Sequence, residues 1–165
     1  IRGDDRELLF ASDVFIAKIR ALGLEKAVVA SPDVGRLNLV RDTYAIELKI
    51  PAVSGDKHRI KKGIEYFGII GKVPPGAAAY LIDDIVDSGS TLIKAAEALK
   101  SAGASKVVAF ATHAILSGDA QVRLAESPIE KIVITDTVQH NCALDARFET
   151  LTVVPLFAER IKEIL

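Results

Sequence analysis

Short aliphatic runs alternate with segments of helical spacing along the whole chain. Leu8 to Leu22, with Phe10, Val14, Ile16, Ile19 and Leu22 apolar, reads as a helix. Ala27 to Ala30 is all apolar and predicts a buried strand, closed by the turn Ser31-Pro32-Asp33. Leu37 to Ala45 reads as helical and Ile50 to Val53 as a short strand. Ser54 to Gly63 is polar and basic, and predicts a loop. Tyr66 to Ile70 and Ala78 to Ile82 predict strands on either side of the Pro74-Pro75-Gly76 turn. Thr91 to Ala102 carries the clearest helical pattern, with Leu92, Ala95, Ala96 and Leu99 on one face, and Gly103 ends it. Val107 to Ala111 and Ile132 to Thr135 predict strands around a helix near Asp119 to Ser127, and Leu156 to Leu165 predicts a last helix. Strands alternating with helices point to an α/β domain, a mostly parallel sheet flanked by helices. In such sheets ligands bind beyond the carboxyl ends of the strands, so chemistry is sought just after each aliphatic run.

Composition narrows the function classes. The 165 residues suit one domain, and half of them are hydrophobic, enough for a sizeable core. With 21 basic and 22 acidic residues there is no cationic excess to release counterions, so no nucleic-acid partner is expected. No apolar stretch approaches the roughly 20 residues that span a bilayer, so no membrane partner is expected either. The single Cys142 cannot close an internal disulfide, which fits a reducing, cytoplasmic setting. Three scattered His residues and one Cys make no zinc pattern. The chain lacks Met and begins with Ile, so sequence upstream of Ile1 is expected to be missing.

One segment carries most of the chemistry. After the run Ala78 to Ile82 comes Asp83-Asp84-Ile85-Val86-Asp87-Ser88-Gly89-Ser90-Thr91, and then the clearest helix. Carboxylates of Asp83 and Asp84 at a strand end can accept hydrogen bonds from two neighbouring sugar hydroxyls, or hold a divalent cation directly or through water. Ser88 to Thr91 form a loop of small residues running into a helix N-terminus. Its backbone N–H groups and the helix dipole suit a phosphate monoester. Gly89 permits close approach of the backbone. Asp87 is better suited to the sugar, or to acting as a base, than to the phosphate. Taken alone, Ser-Gly-Ser-Thr reads as an N-capped turn; the aliphatic run and the three Asp residues make the whole far more restrictive.

The segment Asp83 to Thr91 resembles the phosphoribosyl pyrophosphate motif shared by type I phosphoribosyltransferases and ribose-phosphate diphosphokinases. The rest of the chain resembles the second group. Ala30-Ser31-Pro32-Asp33-Val34-Gly35, Asp56-Lys57-His58-Arg59, the stretch Ala111 to Gly118 and Val133-Ile134-Thr135-Asp136-Thr137 occur in that family's order and with its spacing. The resemblance runs from about Leu8 to the end. It implies a phosphoribosyltransferase-like fold, corresponding to the C-terminal half of a two-domain pattern whose N-terminal half is absent here.

The resemblance also implies roles for residues. Asp83, Asp84, Asp87, Ser88, Gly89, Ser90, Thr91 and Arg59 would bind ribose 5-phosphate. Lys57 and Arg59 would be catalytic, neutralising charge on a diphosphoryl group moving from ATP, and Asp33 would serve the Mg2+ side of the site. Without the resemblance, Lys57 and Arg59 read as a solvated basic loop continued by Lys61 and Lys62, and Asp33 as a turn residue. His113 reads as a structural histidine at a strand end, and His58 and His140 as solvent-facing. The implied partners are ribose 5-phosphate, ATP and further copies of the chain, since the family builds its ATP site with a neighbouring subunit. The pattern departs from the family in places: Arg36 stands where a second Gly is usual, Leu39 where a basic residue is, and Ile60 where Pro is frequent. Two other functions remain open, a phosphoribosyltransferase acting on a base and a non-catalytic regulatory subunit of a synthetase; no segment resembles the hood that the first requires.

Overall fold

In the computed structural model seven strands join into one sheet in the order β3-β2-β1-β4-β5-β6-β7. The structure describes residues 9–60 and 63–164, with the backbone alone for 57–60 and 63–67. The strands are β1 (Ala27–Ser31), β2 (Ala52–Ile60), β3 (Gly63–Ile70), β4 (Ala78–Val86), β5 (Lys106–Ala114), β6 (Lys131–Thr135) and β7 (Phe148–Leu151). Every neighbouring pair is parallel except β2 with β3, which is antiparallel. The mostly parallel sheet flanked by helices is therefore present. The helices are α1 (Ser12–Leu22), α2 (Leu37–Val40), α3 (Ile46–Leu48), α4 (Ser90–Ser101), α5 (Ala120–Glu126) and α6 (Val154–Ile164). A 3₁₀ turn, Val34–Arg36, leads into α2, and a π-helical turn, Arg41–Ala45, joins α2 to α3, so residues 34–48 form one helical stretch.

Period-2 alternation sorts the strand residues into two cores. Val28, Ala30, Leu81, Ala109 and Ile134 pack on one face with Leu92, Ala96 and Leu99 of α4 and Leu124 of α5. Val29, Tyr80, Phe110 and Val133 pack on the other with Phe15 and Ile19 of α1 and with Val40, Tyr44 and Leu48 of the 34–48 stretch. Phe110 takes edge contacts from Phe15 and Tyr80, with centroids 5.3 and 6.2 Å away. Lys18 of α1 and Lys131 of β6 both pair with Glu149 of β7, which fastens α1 across the end of the sheet. By contrast α6 buries none of its residues: Val154, Phe157, Ile161 and Ile164 are all exposed. Among the described residues no helix is long and apolar enough to cross a membrane.

Several elements differ from expectation. The expected loop from Ser54 to Gly63 is in its first part strand: β2 runs to Ile60 and pairs Lys57 with Tyr66, His58 with Glu65 and Arg59 with Ile64. Antiparallel pairing satisfies the backbone donors and acceptors whatever the side chains are, so a charged sequence does not prevent it. His58 accordingly lies on a strand. Both β4 and β5 run past their aliphatic cores, so Asp83 and Asp84 stand on the last turn of pleat of β4, and His113 lies within β5. The four-residue strand β7 was not foreseen, because Phe-Glu-Thr-Leu is too short and too mixed to show a period. The first helix begins at Ser12, and Leu8 lies outside the described residues.

Candidate functional site

The strand order reverses direction at β1. From β1 the chain passes to β2 and β3 on one side, then returns to β4 on the other. The carboxyl ends of β1 and β4 therefore border a crevice where the connecting segments diverge, the usual ligand position in an open α/β sheet. Asp33 follows β1, and Asp83, Asp84 and the loop 87–89 close β4, so both sets of candidate residues meet at this one switch point.

The acid pair is held tightly. The Asp84 N–H donates to Asp83 Oδ1 at 2.9 Å, and the Ile85 N–H donates to Asp84 Oδ1 at 2.7 Å. Arg36, at the end of the 3₁₀ turn after β1, donates through Nη2 to Asp84 Oδ2 at 2.6 Å and brings Nε to 3.4 Å from Asp83 Oδ1. Successive side chains of a strand diverge, yet Arg36 reaches both carboxylates. Burial pushes the Asp83 carboxyl up to about 6 against the opposing pull of the Asp84 N–H and Arg36. Burial, the largest single influence on Asp84, would raise it, but the hydrogen bonds and charge of Arg36, with the Asp83 and Ile85 hydrogen bonds, together outweigh this and hold it below the ordinary carboxylate range. Asp33 begins the 3₁₀ turn; its carbonyl accepts from Ser31 Oγ at 2.9 Å, and its charge adds to the field at Arg36.

The loop beyond β4 is shaped by Gly89, whose φ of 73° starts α4. A Cβ at Gly89 would lie 2.8 Å from Leu124 Cγ, so α5 packs against the bare backbone. The Gly89 carbonyl accepts the first helical bond, from the Ile93 N–H, and Gly89 brings no side chain to cap the helix. The N-terminal amides of a twelve-residue helix thus open on a cavity of about 140 Å³ lined by Asp83, Asp87, Ser88, Ser90 and Thr91. Ser88 Oγ donates to Ser90 Oγ at 3.2 Å, and Arg123 of α5 donates to Ser90 Oγ at 3.0 Å and to the Ser88 carbonyl at 3.3 Å. Asp87 and Ser88 are exposed.

The structure thus brings Asp33, Asp83, Asp84, Asp87, Ser88, Gly89, Ser90 and Thr91 to one end of the sheet. The backbone of Lys57 and Arg59 is in β2, and their side chains lie outside the described residues. His113 Nδ1 lies 2.9 Å from Thr137 Oγ1, within a knot in which the Thr135 and Thr137 hydroxyls both donate to the Thr112 carbonyl. His140 is half-buried rather than solvent-facing, with its Nε2 out of contact with water. Two residues at the site were not assigned from sequence. Arg36 had been noticed only as a departure from the family, and Arg123 lay inside an ordinary amphipathic pattern with no motif to mark it. No three His, Cys, Asp or Glu side chains converge among the described residues, so a cation here would take at most the two carboxylates from this pair and the rest of its shell from elsewhere. Oxygen donors of this kind fit a hard cation such as Mg2+.

Comparison with known proteins fits this geometry. The family model described as phosphoribosyl synthetase-associated domain matches residues 41–165. The ribose-phosphate pyrophosphokinase of Chlorobaculum tepidum is 40% identical over 158 residues, covering 94% of this chain and 48% of the relative. The chain spans about half the length of the curated relatives it matches. A phosphoribosylpyrophosphate synthetase from Mycobacterium smegmatis superposes with a TM-score of 0.83 at 29% identity, over 93% of this chain and 50% of that one. Orotate phosphoribosyltransferase from Aeropyrum pernix, at 17% identity and a TM-score of 0.56 over 92% of this chain and 76% of its own, shares the fold alone. With the family model matching most of its length, the chain belongs to the phosphoribosyl synthetase-associated domain family.

Proposed function

We propose that this chain is the sugar-phosphate-binding half of a ribose-phosphate diphosphokinase, which moves the diphosphoryl group of ATP to the 1-hydroxyl of ribose 5-phosphate. The observation that carries the reading is the meeting, at one strand end, of an acid pair with an uncapped helix N-terminus. A sugar phosphate presents the complement, a diol and a monoester. In this reading Asp83 and Asp84 accept the ring hydroxyls, and Ser88 to Thr91 receive the 5-phosphate. Asp87 stands near the sugar. The 1-hydroxyl attacks the β-phosphorus, AMP departs, and Lys57 and Arg59 offset the charge that shifts during transfer. Mg2+, held largely by substrate phosphates with Asp33 and the acid pair nearby, would further neutralise that charge. The adenine site belongs to the half that the relatives have in addition, completed by a neighbouring copy in a homo-oligomer, in the cytoplasm where both substrates are found.

The test is direct. Adding ribose 5-phosphate to the protein that carries this chain should shift the backbone amide resonances of Ser88 to Thr91, and Asp83→Asn should weaken binding without unfolding the domain. Unmoved amides in that loop, or an unchanged affinity in Asp83→Asn, would remove the basis of the reading. Base-dependent consumption of phosphoribosyl pyrophosphate would instead mark a phosphoribosyltransferase.

A further inference from the structure

We propose that Arg36 is an internal counter-ion that closes the Asp83–Asp84 pair to incoming cations and hydroxyls, and that a ligand must draw it away. The proposal rests on the reading that this pair receives the sugar. Its starting point is the side chain at the end of the 3₁₀ turn that follows β1. That side chain meets both carboxylates, with Nη2 2.6 Å from Asp84 Oδ2 and Nε 3.4 Å from Asp83 Oδ1.

Each contact removes something a ligand would need. Asp83 Oδ1 and Asp84 Oδ1 already accept the backbone N–H groups of Asp84 and Ile85. Asp84 Oδ2 is taken by the guanidinium. A sugar hydroxyl must therefore compete with a charged donor, and charge-assisted hydrogen bonds are the stronger kind. A divalent cation fares worse. It loses an oxygen ligand, and it faces a fixed positive charge in the position it would occupy.

The closure is reversible in its energetics. The Arg36 side chain is 34% exposed and Asp84 48%, so solvent screens their attraction, while Asp83 is only 10% exposed. Partly exposed ion pairs of this kind lower the affinity of a competitor about twofold to fivefold, not beyond reach of a substrate that also anchors its phosphate. The side chain has room to leave: beside it lies a cavity of about 250 Å³ lined by Arg36, Leu39, Tyr44, Asp83 and Asp84. Arg36 thereby makes the site demand a ligand with two anchors. A bare diol or a free cation has too little to displace it, whereas a sugar phosphate held at Ser88 to Thr91 has the second hold.

The experiment uses the full-length protein carrying this chain, with Mn2+ as the probe cation. Free Mn2+ is followed by electron paramagnetic resonance, and ribose 5-phosphate binding by calorimetry. Arg36→Ala should bind Mn2+ about twofold to fivefold more tightly than wild type, and Arg36→Lys, which keeps the charge, should match wild type. The gain should vanish when Asp83→Asn and Asp84→Asn are added. Arg36→Gln, neutral and of similar reach, replaces Arg36→Ala if thermal melting shows the latter unfolded. Mn2+ affinity equal to or weaker than wild type in the neutral variant overturns the proposal. If ribose 5-phosphate binds to wild type while Mn2+ affinity does not move, the counter-ion role falls and the proposed function stands. If Mn2+ binding tightens while ribose 5-phosphate binds to neither protein, the counter-ion role stands and the proposed function falls.

Discussion

Gly89 has two separate reasons to lack a side chain, a left-handed backbone and Leu124 Cγ at 2.8 Å from where a Cβ would stand. Gly89→Ala should therefore cost about 1–3 kcal/mol in urea unfolding and reduce ribose 5-phosphate affinity with it. Leu124→Ala should remove the steric part of that penalty while leaving the backbone part, so a double mutant as unstable as the sum of the singles would refute the contact. Asp83 makes a pH prediction. Its folded-state carboxyl is raised to about 6 from an ordinary 3.8, so the fold favours the protonated form. That contribution is full below about pH 4 and is lost as pH rises to about 6. Asp84 is shifted the opposite way, so wild type alone mixes two trends. Asp83→Asn should thus gain stability relative to wild type between those pH values. A stability difference that is flat with pH would exclude the shift.

At the scale of elements, the phosphate loop depends on a helix far from it in sequence. Arg123 of α5 ties the Ser88 carbonyl and the Ser90 hydroxyl together, and both bonds run between segments about 35 residues apart. Arg123→Ala should lower ribose 5-phosphate affinity several-fold by calorimetry with only a slight fall in melting temperature, because the side chain is 40% exposed and fills no core. An equal loss of binding and stability would make it merely structural. The β2–β3 ribbon carries a kinetic prediction. Lys57→Ala in the full-length protein should lower kcat on the order of 100-fold and leave ribose 5-phosphate affinity within about threefold, since its charge would act on the transferring group. Similar losses in both quantities would mean ground-state binding only. The part of this ribbon from Ser54 to Ile60 is illegible as strand because its signal is pairing, not hydrophobicity, whereas the apolar Tyr66 to Ile70 shows as strand by itself. Arg36 and Arg123 were illegible as site residues for a related reason: each reaches the site across a fold contact, and neither sits in a motif. The loop 87–91 is local in sequence and local in space, so its own residues show a turn running into a helix.

For the whole molecule, the reversal of strand order between β1 and β4 gathers the acid pair, Arg36 and the phosphate loop, and α5 braces that loop through Arg123 and Leu124, all within this one domain. Alternating aliphatic runs made the parallel sheet legible, whereas the reversal itself rests on which strands neighbour β1, a property of packing that no single run encodes. Sugar-phosphate binding should therefore survive in the 165-residue chain by itself, while phosphoribosyl pyrophosphate synthesis should stay near background, because relatives with the full activity are about twice as long. Incubation with ribose 5-phosphate, ATP and magnesium, following AMP, decides this, and robust turnover would locate the nucleotide site within these residues. The helix α6 adds a consequence of another kind. None of its eleven residues is fully buried, Leu156 and Arg160 are half-buried, and a helix of that length is marginal alone. Its free energy of opening lies far below that of the sheet, so its amides trade hydrogen for deuterium while those of β4 and β5 remain locked. Anything that settles on Val154, Phe157, Ile161 and Ile164 will announce itself first as slowed exchange at the chain's last turns.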